Sequence, residues 1–264
     1  AEHTVRCLRN GIVNLLELQG VSKAYREVQA LQPLDLTIRA GEVLALIGET
    51  GSGKSTLSMI AAGALQPDSG RRIFDGRDMD EWIRRDYKSL ARRIGVVHQN
   101  QSEAFSHRFT VFDILTEPLK IHGIVNKVIH IERVYEVLAQ VHLPDDDAFL
   151  QQHPWQLNMG ALQRLSIARA LILKPSLLIA DEPTSSLDPS VQAKVLKLLL
   201  HLQTELGLAM LFVTHDLALA RKISDQVGVL FNGELVECGP ASQILERPAH
   251  SYTKFLISRA RGTA

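Results

Sequence analysis

The fold is decided by the stretch Gly48-Glu49-Thr50-Gly51-Ser52-Gly53-Lys54-Ser55-Thr56. It follows an apolar run at residues 43–47 and precedes an apolar-periodic segment at residues 57–65, which gives the order strand, glycine loop, helix. Its spacing fits G-x-x-x-x-G-K-[ST], the phosphate-binding loop. Backbone N–H groups of such a loop and the N-terminus of the following helix bind nucleotide phosphates. We therefore expect all nine residues to hold a nucleotide, with Lys54 at the β- and γ-phosphates and the Ser55 hydroxyl on Mg²⁺.

The composition is that of an ordinary globular protein of 264 residues, with 45% apolar and 22% charged residues. Because the formal net charge is zero, no strong electrostatic attraction to nucleic acid is implied. Cys7 and Cys238 lie far apart, which favours a reducing compartment and no disulfide framework. No secretory signal opens the chain, and no apolar run approaches the roughly 18 residues of a membrane span. We therefore expect a protein of the cytoplasm that reaches a membrane only by docking on a partner.

Alternating and continuous apolar segments predict an α/β fold. Residues 15–18 and 34–38 alternate like half-exposed antiparallel strands. Fully apolar segments at 94–97, 177–180 and 210–213 are typical of buried strands. Helical segments separate these buried strands, which indicates a core sheet of parallel strands.

Helical patterns fill the middle and the end of the chain. A helical subdomain is expected at about residues 100–170, with a loose arm at 1–13 and a helical tail at 246–264. Five apolar residues at helical spacing are interpreted as core: Ile131, Val134, Tyr135, Leu138 and Val141. Asn232-Gly233 lies between two apolar runs and predicts a type I′ hairpin.

Two acidic residues follow the buried strand at 177–180, at the end where α/β sheets bind ligands. Asp181 would hold Mg²⁺, directly or through water, and Glu182 would polarise the attacking water as a general base. Alone, an acidic pair after a strand is more often a solvated loop. The phosphate-binding loop upstream favours the functional interpretation.

Three further side chains complete the predicted site. His215 follows the strand at 210–213, where its imidazole would contact phosphate and orient the water. Gln99 follows the strand at 94–97 and would complete the Mg²⁺ or water shell. Tyr25 lies between the strands predicted at 15–18 and 34–38 and would stack on adenine, although a tyrosine between strands otherwise mostly serves packing.

These motifs resemble those of the ATP-binding cassette (ABC) ATPases, and they occur in the family's order over residues 14–245. The resemblance implies a P-loop parallel-sheet core with an N-terminal antiparallel edge sheet and an inserted α-helical subdomain, which binds Mg-ATP and hydrolyses it. It makes Tyr25 the A-loop aromatic, Gln99 the Q-loop, Asp181 the Walker B aspartate, Glu182 the catalytic glutamate, Asp188 the D-loop and His215 the switch histidine. Asp188 is also placed to cap a helix that starts at Pro189.

The signature motif departs from the family pattern. The family has Leu-Ser-Gly-Gly-Gln, which contacts the γ-phosphate of ATP bound to the partner subunit, and this chain has Leu157-Asn158-Met159-Gly160-Ala161. Asn158 is still able to donate to phosphate and Gly160 remains, but Met159 replaces a glycine that permits close backbone approach. Loss of one charge-assisted hydrogen bond weakens binding about 10–100-fold. We expect an asymmetric pair with a different ATPase subunit; the alternative is that the substitutions are neutral.

The end of the chain narrows the resemblance to the ATPases of oligopeptide, dipeptide and nickel importers. Residues 246–256 are similar to that group's Pro-x-His-Pro-Tyr-Thr-x-x-Leu tail, with Ser251 in place of a proline, while residues 100–105 depart from its pattern. The resemblance implies a peripheral subunit on the cytoplasmic face of the membrane. Its partners would be two integral-membrane permease subunits and, indirectly, a substrate-binding protein. Peptide and metal chelate both stay open as the cargo.

Two other classes of function stay open on the sequence. One is a non-transport ABC ATPase that regulates a soluble complex. The other is a largely structural subunit whose nucleotide only holds an assembly together. The joint presence of Lys54, Asp181, Glu182 and His215 argues against the structural role.

Overall fold

The computed structural model describes residues 14–98 and 105–260. In chain order the strands are β1 (Asn14–Tyr25), β2 (Val28–Arg39), β3 (Val43–Ile47), β4 (Ser69–Phe74), β5 (Arg77–Asp78), β6 (Ile94–Val97), β7 (Leu177–Asp181), β8 (Ala209–Thr214), β9 (Gln226–Phe231) and β10 (Glu234–Pro240). The helices are α1 (Lys54–Ala61), α2 (Met79–Arg93), α3 (Val111–Ile121), α4 (Lys127–Gln140), α5 (Asp147–Leu150), α6 (Met159–Leu171), α7 (Pro189–Leu206), α8 (Leu217–Ile223), α9 (Ala241–Glu246) and α10 (Ser251–Ala260).

A six-stranded sheet is the scaffold, with the strand order β10-β9-β3-β8-β7-β6. Its strands pair in parallel, except that β10 runs antiparallel to β9. Along β8, Met210 and Phe212 pack in one apolar cluster with α6 and α7, while Leu211 and Val213 pack in another with α1 and the antiparallel sheet. Both faces of the strand are therefore covered, which explains its continuous apolar sequence.

The carboxyl ends of three central strands meet at one edge of this sheet. Ile47 of β3 pairs with Thr214 of β8, and Val213 of β8 pairs with Asp181 of β7. The segments that follow these strands are consequently neighbours in space, although they are far apart in the sequence. The predicted α/β core with an antiparallel edge sheet and inserted helices is confirmed.

The antiparallel sheet has the order β2-β1-β4-β5. Its strands β1 and β2 are longer than the segments predicted at 15–18 and 34–38. Leu18 pairs with Leu36 in the predicted antiparallel manner. However, residues 21–25, which lie between the strands predicted at 15–18 and 34–38, belong to the twelve-residue β1. The register shifts between Leu18 and Val21 at Gly20, whose φ is 59°, and this bulge interrupts the alternation on which the prediction depended.

The apolar stripe predicted on α4 is only partly core. Val134 and Leu138 are fully buried, but Ile131 and Tyr135 are 47% and 40% exposed. The inward face of the helix also includes Val137 and His130. Nε2 of His130 lies 2.5 Å from the carbonyl oxygen of Ile124. Ile131 and Tyr135 lie beside this face, and the sequence pattern alone could not resolve that rotation.

The predicted type I′ hairpin is present between β9 and β10. Asn232 and Gly233 both have left-handed backbones, with φ of 47° and 79°. The N–H of Gly233 donates to the carbonyl oxygen of Ser52 at 3.0 Å, and a Cβ at Gly233 would lie 2.8 Å from the carbonyl oxygen of Ala30. The turn therefore packs directly against the glycine loop.

Across the two described ranges, no helix has the length and apolar character required to cross a membrane.

We expect Phe212→Ala to lower the free energy of unfolding by about 3–5 kcal/mol, because it opens a cavity at a fully buried position in the central sheet. Urea unfolding followed by circular dichroism measures the change. Tyr87→Ala is the matched control, since it removes an aromatic ring that is 54% exposed and should change stability by no more than about 0.5 kcal/mol. Equal effects of the two substitutions would contradict the described packing.

Candidate nucleotide-binding and hydrolysis site

The glycine loop connects β3 to α1 and is pressed between two other strands. A Cβ at Gly48 would lie 2.2 Å from the carbonyl oxygen of Leu230 in β9. A Cβ at Gly53 would lie 2.5 Å from the carbonyl oxygen of Ala30 in β2, and the φ of Gly53 is 102°. Side chains at these two positions would therefore displace backbone, so glycine is required for the loop to take this path.

The ammonium group of Lys54 is held inside the loop. Its Nζ donates to the carbonyl oxygens of Gly48 at 2.8 Å and Glu49 at 2.7 Å. Burial lowers the pKa of Lys54, and the carboxylates of Glu182, Asp181 and Glu49 act in the opposite direction. A buried cation next to a loop of backbone amides suits an anionic ligand.

Asp181 lies at the end of β7 and is connected to the first turn of α1 through Ser58. The Oγ of Ser58 is 3.2 Å from Oδ2 of Asp181 and 3.0 Å from the carbonyl oxygen of Ser55. This contact places the Asp181 carboxylate close to Ser55, which is exposed in the cavity described below. A carboxylate and a hydroxyl are oxygen ligands of the kind that Mg²⁺ prefers, so the residues present fit that ion.

Glu182 and His215 form a pair across the ends of β7 and β8. Nδ1 of His215 lies 3.1 Å from Oε1 of Glu182, whose side chain is 16% exposed, whereas that of His215 is 59% exposed. The backbone N–H of Glu182 donates to the carbonyl oxygen of Val213 at 3.0 Å. The φ of Glu182 is 46°, a left-handed conformation that is uncommon outside glycine and recurs at functional sites.

One cavity of about 620 Å³ brings most of the predicted residues together. It is lined by the predicted residues Tyr25, Thr50, Gly51, Gly53, Lys54, Ser55, Thr56, Glu182 and His215. Tyr25 is 44% exposed at the end of β1, and its side chain faces the same space as the glycine loop. The cavity therefore brings together an aromatic ring, the glycine loop with its buried ammonium group and a carboxylate–imidazole pair.

The sequence missed several residues of this cavity. They are Val28, Gln29 and Ala30, the first three residues of β2, together with Asn232 and Gly233 of the hairpin. The Asn-Gly turn was recognised as a hairpin, but nothing in its sequence indicated that it lies against the loop. The β2 residues have no chemical signal, because they contribute through backbone position.

Three signature residues, Asn158, Met159 and Gly160, line a different cavity of about 890 Å³, which α6 and α7 help to form. Asn158 caps α6, with its Oδ1 accepting from the N–H of Ala161 at 2.8 Å. Met159 is 49% exposed, and a Cβ at Gly160 would lie 2.9 Å from Cγ1 of Val191. The chain therefore does not bring its own signature to its own glycine loop.

Asp188 lies beside the signature residues in that second cavity and caps α7 as predicted. Its Oδ1 accepts from the N–H groups of Ser190 at 3.0 Å and Val191 at 3.1 Å. The Ser190 hydroxyl and the Val191 N–H hold the pKa of Asp188 below its usual range. Gln99, the last predicted site residue, lies outside the described residues.

The fold and the first cavity define a class: a P-loop nucleotide-binding protein of the α/β type. The ABC transporter family model matches residues 31–185 of the chain. A Brucella ovis protein named a peptide import ATP-binding protein is 39% identical over 92% of this chain and 78% of its own length. The oligopeptide transport ATP-binding protein OppF of Lactococcus lactis subsp. lactis is 38% identical over 88% of this chain and 72% of its own length.

Solved structures agree with these matches. The cbiO1 protein from Clostridium perfringens, part of the ABC transporter complex cbiONQ, has a TM-score of 0.79 and 28% identity over 89% of this chain and 92% of that chain. The dimeric ATP-binding cassette MJ0796 bound to ADP and Pi has a TM-score of 0.76 and 29% identity over 86% of this chain and 98% of that chain. This chain belongs to the ABC transporter family and is an ATP hydrolase of the ABC type. The resemblance stated from the motifs is confirmed.

We expect Glu182→Gln to lower the pKa of Lys54 further, because the Glu182 carboxylate is the largest of the influences that raise it against burial. Titration of the ¹³Cε resonance of Lys54 by NMR measures the change. Glu246→Gln, an exposed carboxylate on α9, is the control and should leave this pKa unchanged. A Lys54 pKa that is the same in both variants would contradict the electrostatic coupling.

Proposed function

We propose that this chain is the ATP-hydrolysing subunit of a peptide importer, that it works at the cytoplasmic face of the membrane and that it pairs with a second, different ATPase subunit. The observation that carries the proposal is the cavity in which Tyr25, the glycine loop, Glu182 and His215 meet. Its aromatic, cationic and general-base groups suit the base, the phosphates and the hydrolytic water of one bound ATP.

In the proposed binding mode, the ring of Tyr25 stacks on adenine and the loop binds the phosphates. The N–H groups of the loop and of the first turn of α1 donate to phosphate oxygens. Lys54 exchanges its contacts with the carbonyls of Gly48 and Glu49 for the β- and γ-phosphates. Ser55 and Asp181 would hold Mg²⁺, which when bound would supply positive charge near the phosphates.

Hydrolysis is proposed to proceed by in-line attack of water on the γ-phosphorus. As the new P–O bond forms and the bond to the bridging oxygen of ADP breaks, the carboxylate of Glu182 accepts a proton from the water. His215 orients Glu182 through the 3.1 Å contact and is exposed enough to reach phosphate. Gln99 is proposed to complete the water and Mg²⁺ shell. Positioning and electrostatic stabilisation carry most of the rate enhancement.

We expect Glu182→Gln to leave the dissociation constant for Mg-ATP within about threefold of the parent while kcat falls about 10²–10⁴-fold, because the amide keeps the shape of the side chain but removes the carboxylate that accepts the proton. Equilibrium binding and steady-state phosphate release measure the two quantities. Glu246→Gln, which neutralises an exposed carboxylate on α9, should change neither. Unchanged turnover in the Glu182 variant would remove this residue from the mechanism.

The pairing with a second ATPase rests on the altered signature. A serine hydroxyl in the family pattern is here an amide, Asn158, whose Oδ1 already accepts from Ala161. Met159 places an exposed thioether where the family has glycine. Such a surface offers a partner's γ-phosphate fewer donors and less backbone approach. The glycine loop and Glu182 of this chain would in contrast be completed by an intact signature on the partner.

We expect the two sites of the assembled transporter to differ. In a complex with the second ATPase and the two permease subunits, Glu182→Gln in this chain should remove most of the turnover. The equivalent substitution in the partner should lower turnover much less, because the partner's site is completed by the altered signature of this chain. Restoring the family pattern by Asn158→Ser, Met159→Gly and Ala161→Gln should strengthen the weak site about 10–100-fold.

Equal losses from the two glutamate substitutions, or equal turnover by this chain alone, would contradict the asymmetric pair. The same complex tests the cargo, since a binding protein loaded with peptide should stimulate turnover and one loaded with a nickel chelate should not. Peptide is favoured by the likeness of residues 246–256 to the importer tail and by the names of the similar proteins. Recovery of the chain with soluble proteins and no permease would instead support a regulatory ATPase.

A further inference from the structure

The tail helix α10 contacts the glycine loop directly. The hydroxyl of Tyr252 accepts a hydrogen bond from the backbone N–H of Glu49 at 3.2 Å. At the next-to-last residue of the same helix, Nη1 of Arg259 lies 3.2 Å from Oε1 of Glu49. Two side chains of the tail therefore bind the second residue of the loop, one through its backbone and the other through its side chain.

Tyr252 is held by the packing of its ring and by hydrogen bonds at its own backbone N–H and at residues 249 and 250. Its side chain is buried, and its ring lies 3.9 Å, between centroids, from that of Phe231 at the end of β9. Its own N–H donates to Nδ1 of His250 at 3.2 Å. The carboxylate of Glu237 in β10 accepts from the N–H groups of Ala249 and His250 at 2.7 and 3.2 Å. The hydroxyl is therefore presented to the loop from a rigid support.

Phe231 extends this support to the other side of the loop. It directly precedes the Asn232-Gly233 turn, whose two residues line the 620 Å³ cavity. The N–H of Gly233 in turn donates to the carbonyl oxygen of Ser52. One packed unit, consisting of Tyr252, Phe231 and the turn, thus contacts the loop at Glu49 and at Ser52.

The contact at Glu49 matters because Lys54 uses the same residue. Nζ of Lys54 donates to the carbonyl oxygen of Glu49 at 2.7 Å. The Tyr252 hydroxyl accepts from the N–H of the same residue, Glu49, which is not among the residues that line the 620 Å³ cavity. Tyr252 thereby limits how far this segment of the loop is able to move when Lys54 turns from carbonyl oxygens to phosphate.

We infer that Tyr252 is a positioning residue for nucleotide binding, and that Arg259 supports it: the tail helix holds Glu49, and through it the glycine loop, in the shape that receives phosphates. This inference rests on the proposed role of the loop as the ATP site. Because the contact acts on the loop before ATP arrives, its loss weakens binding and leaves the chemical step with bound ATP nearly unchanged.

Tyr252→Phe in the full chain is the central test, because it removes only the hydroxyl and keeps the ring on Phe231. The dissociation constant for Mg-ATP, measured by calorimetry, should rise about 2–10-fold, the loss expected for one neutral hydrogen bond. The kcat at saturating ATP should stay within about twofold. A merely structural role would lower the melting temperature without this selective loss of affinity.

Arg259 and Lys254 provide the matched pair of charge variants on the same helix. Arg259→Gln should weaken ATP binding about twofold, in keeping with an exposed ion pair, and Arg259→Lys should restore much of the loss. Lys254→Gln removes the same charge from an exposed position of α10 and should have no effect. If Arg259→Gln and Lys254→Gln weaken binding equally, the supporting role of Arg259 is wrong.

Lys54→Ala separates this inference from the proposed function. If the parent chain binds Mg-ATP and Lys54→Ala abolishes binding, the loop is the nucleotide site, and an unchanged dissociation constant in Tyr252→Phe then overturns the inference alone. If Lys54→Ala binds as tightly as the parent, the proposed site itself is wrong. If Tyr252→Phe lowers kcat as much as affinity, Tyr252 affects the chemical step, and the inference that it acts only on nucleotide binding is wrong.

Discussion

The structure depends on the absence of two side chains, at Gly48 and Gly53. The backbone of the loop passes so close to the carbonyl oxygens of Leu230 and Ala30 that a Cβ would overlap them at 2.2 and 2.5 Å. This close approach brings strands of both sheets into contact with one turn of backbone. With the loop on this path, six of its nine residues line the 620 Å³ cavity.

The parallel sheet supplies the rest of the site through its register. Because Ile47 pairs with Thr214 and Asp181 with Val213, the chain leaves β3, β7 and β8 at adjacent points. Glu182 and His215 need only one further residue each to meet at 3.1 Å. The left-handed backbone of Glu182 is part of this arrangement, since it turns the residue out of the strand direction.

Motifs with local chemistry were predictable, and contacts between distant surfaces were not. The glycine loop, the buried strands and the Asn232-Gly233 turn each carry a pattern within a few residues, so the sequence indicated them correctly. The full length of β1 was missed because a bulge at Gly20 breaks its alternation. The contact of Tyr252 with Glu49 spans 203 residues, and the sequence marked Tyr252 only as part of the tail pattern at 246–256. Only the packed tail reveals what that hydroxyl touches.

The groups proposed to bind and hydrolyse ATP and the signature residues lie in two separate cavities of the chain. The loop, Glu182 and His215 line one, whereas Asn158, Gly160 and Asp188 line the other, so the signature residues are not available to the loop on the same molecule. Met159 lines only the second of these cavities, so a change there would alter the surface that the proposed partner would contact and not the first cavity. A family member is thus free to lose donors on one surface while its own binding loop keeps every glycine and lysine. In the proposed pair, that separation is the physical reason why an altered signature would make the two sites unequal and would leave the ATP site of the chain that carries it intact.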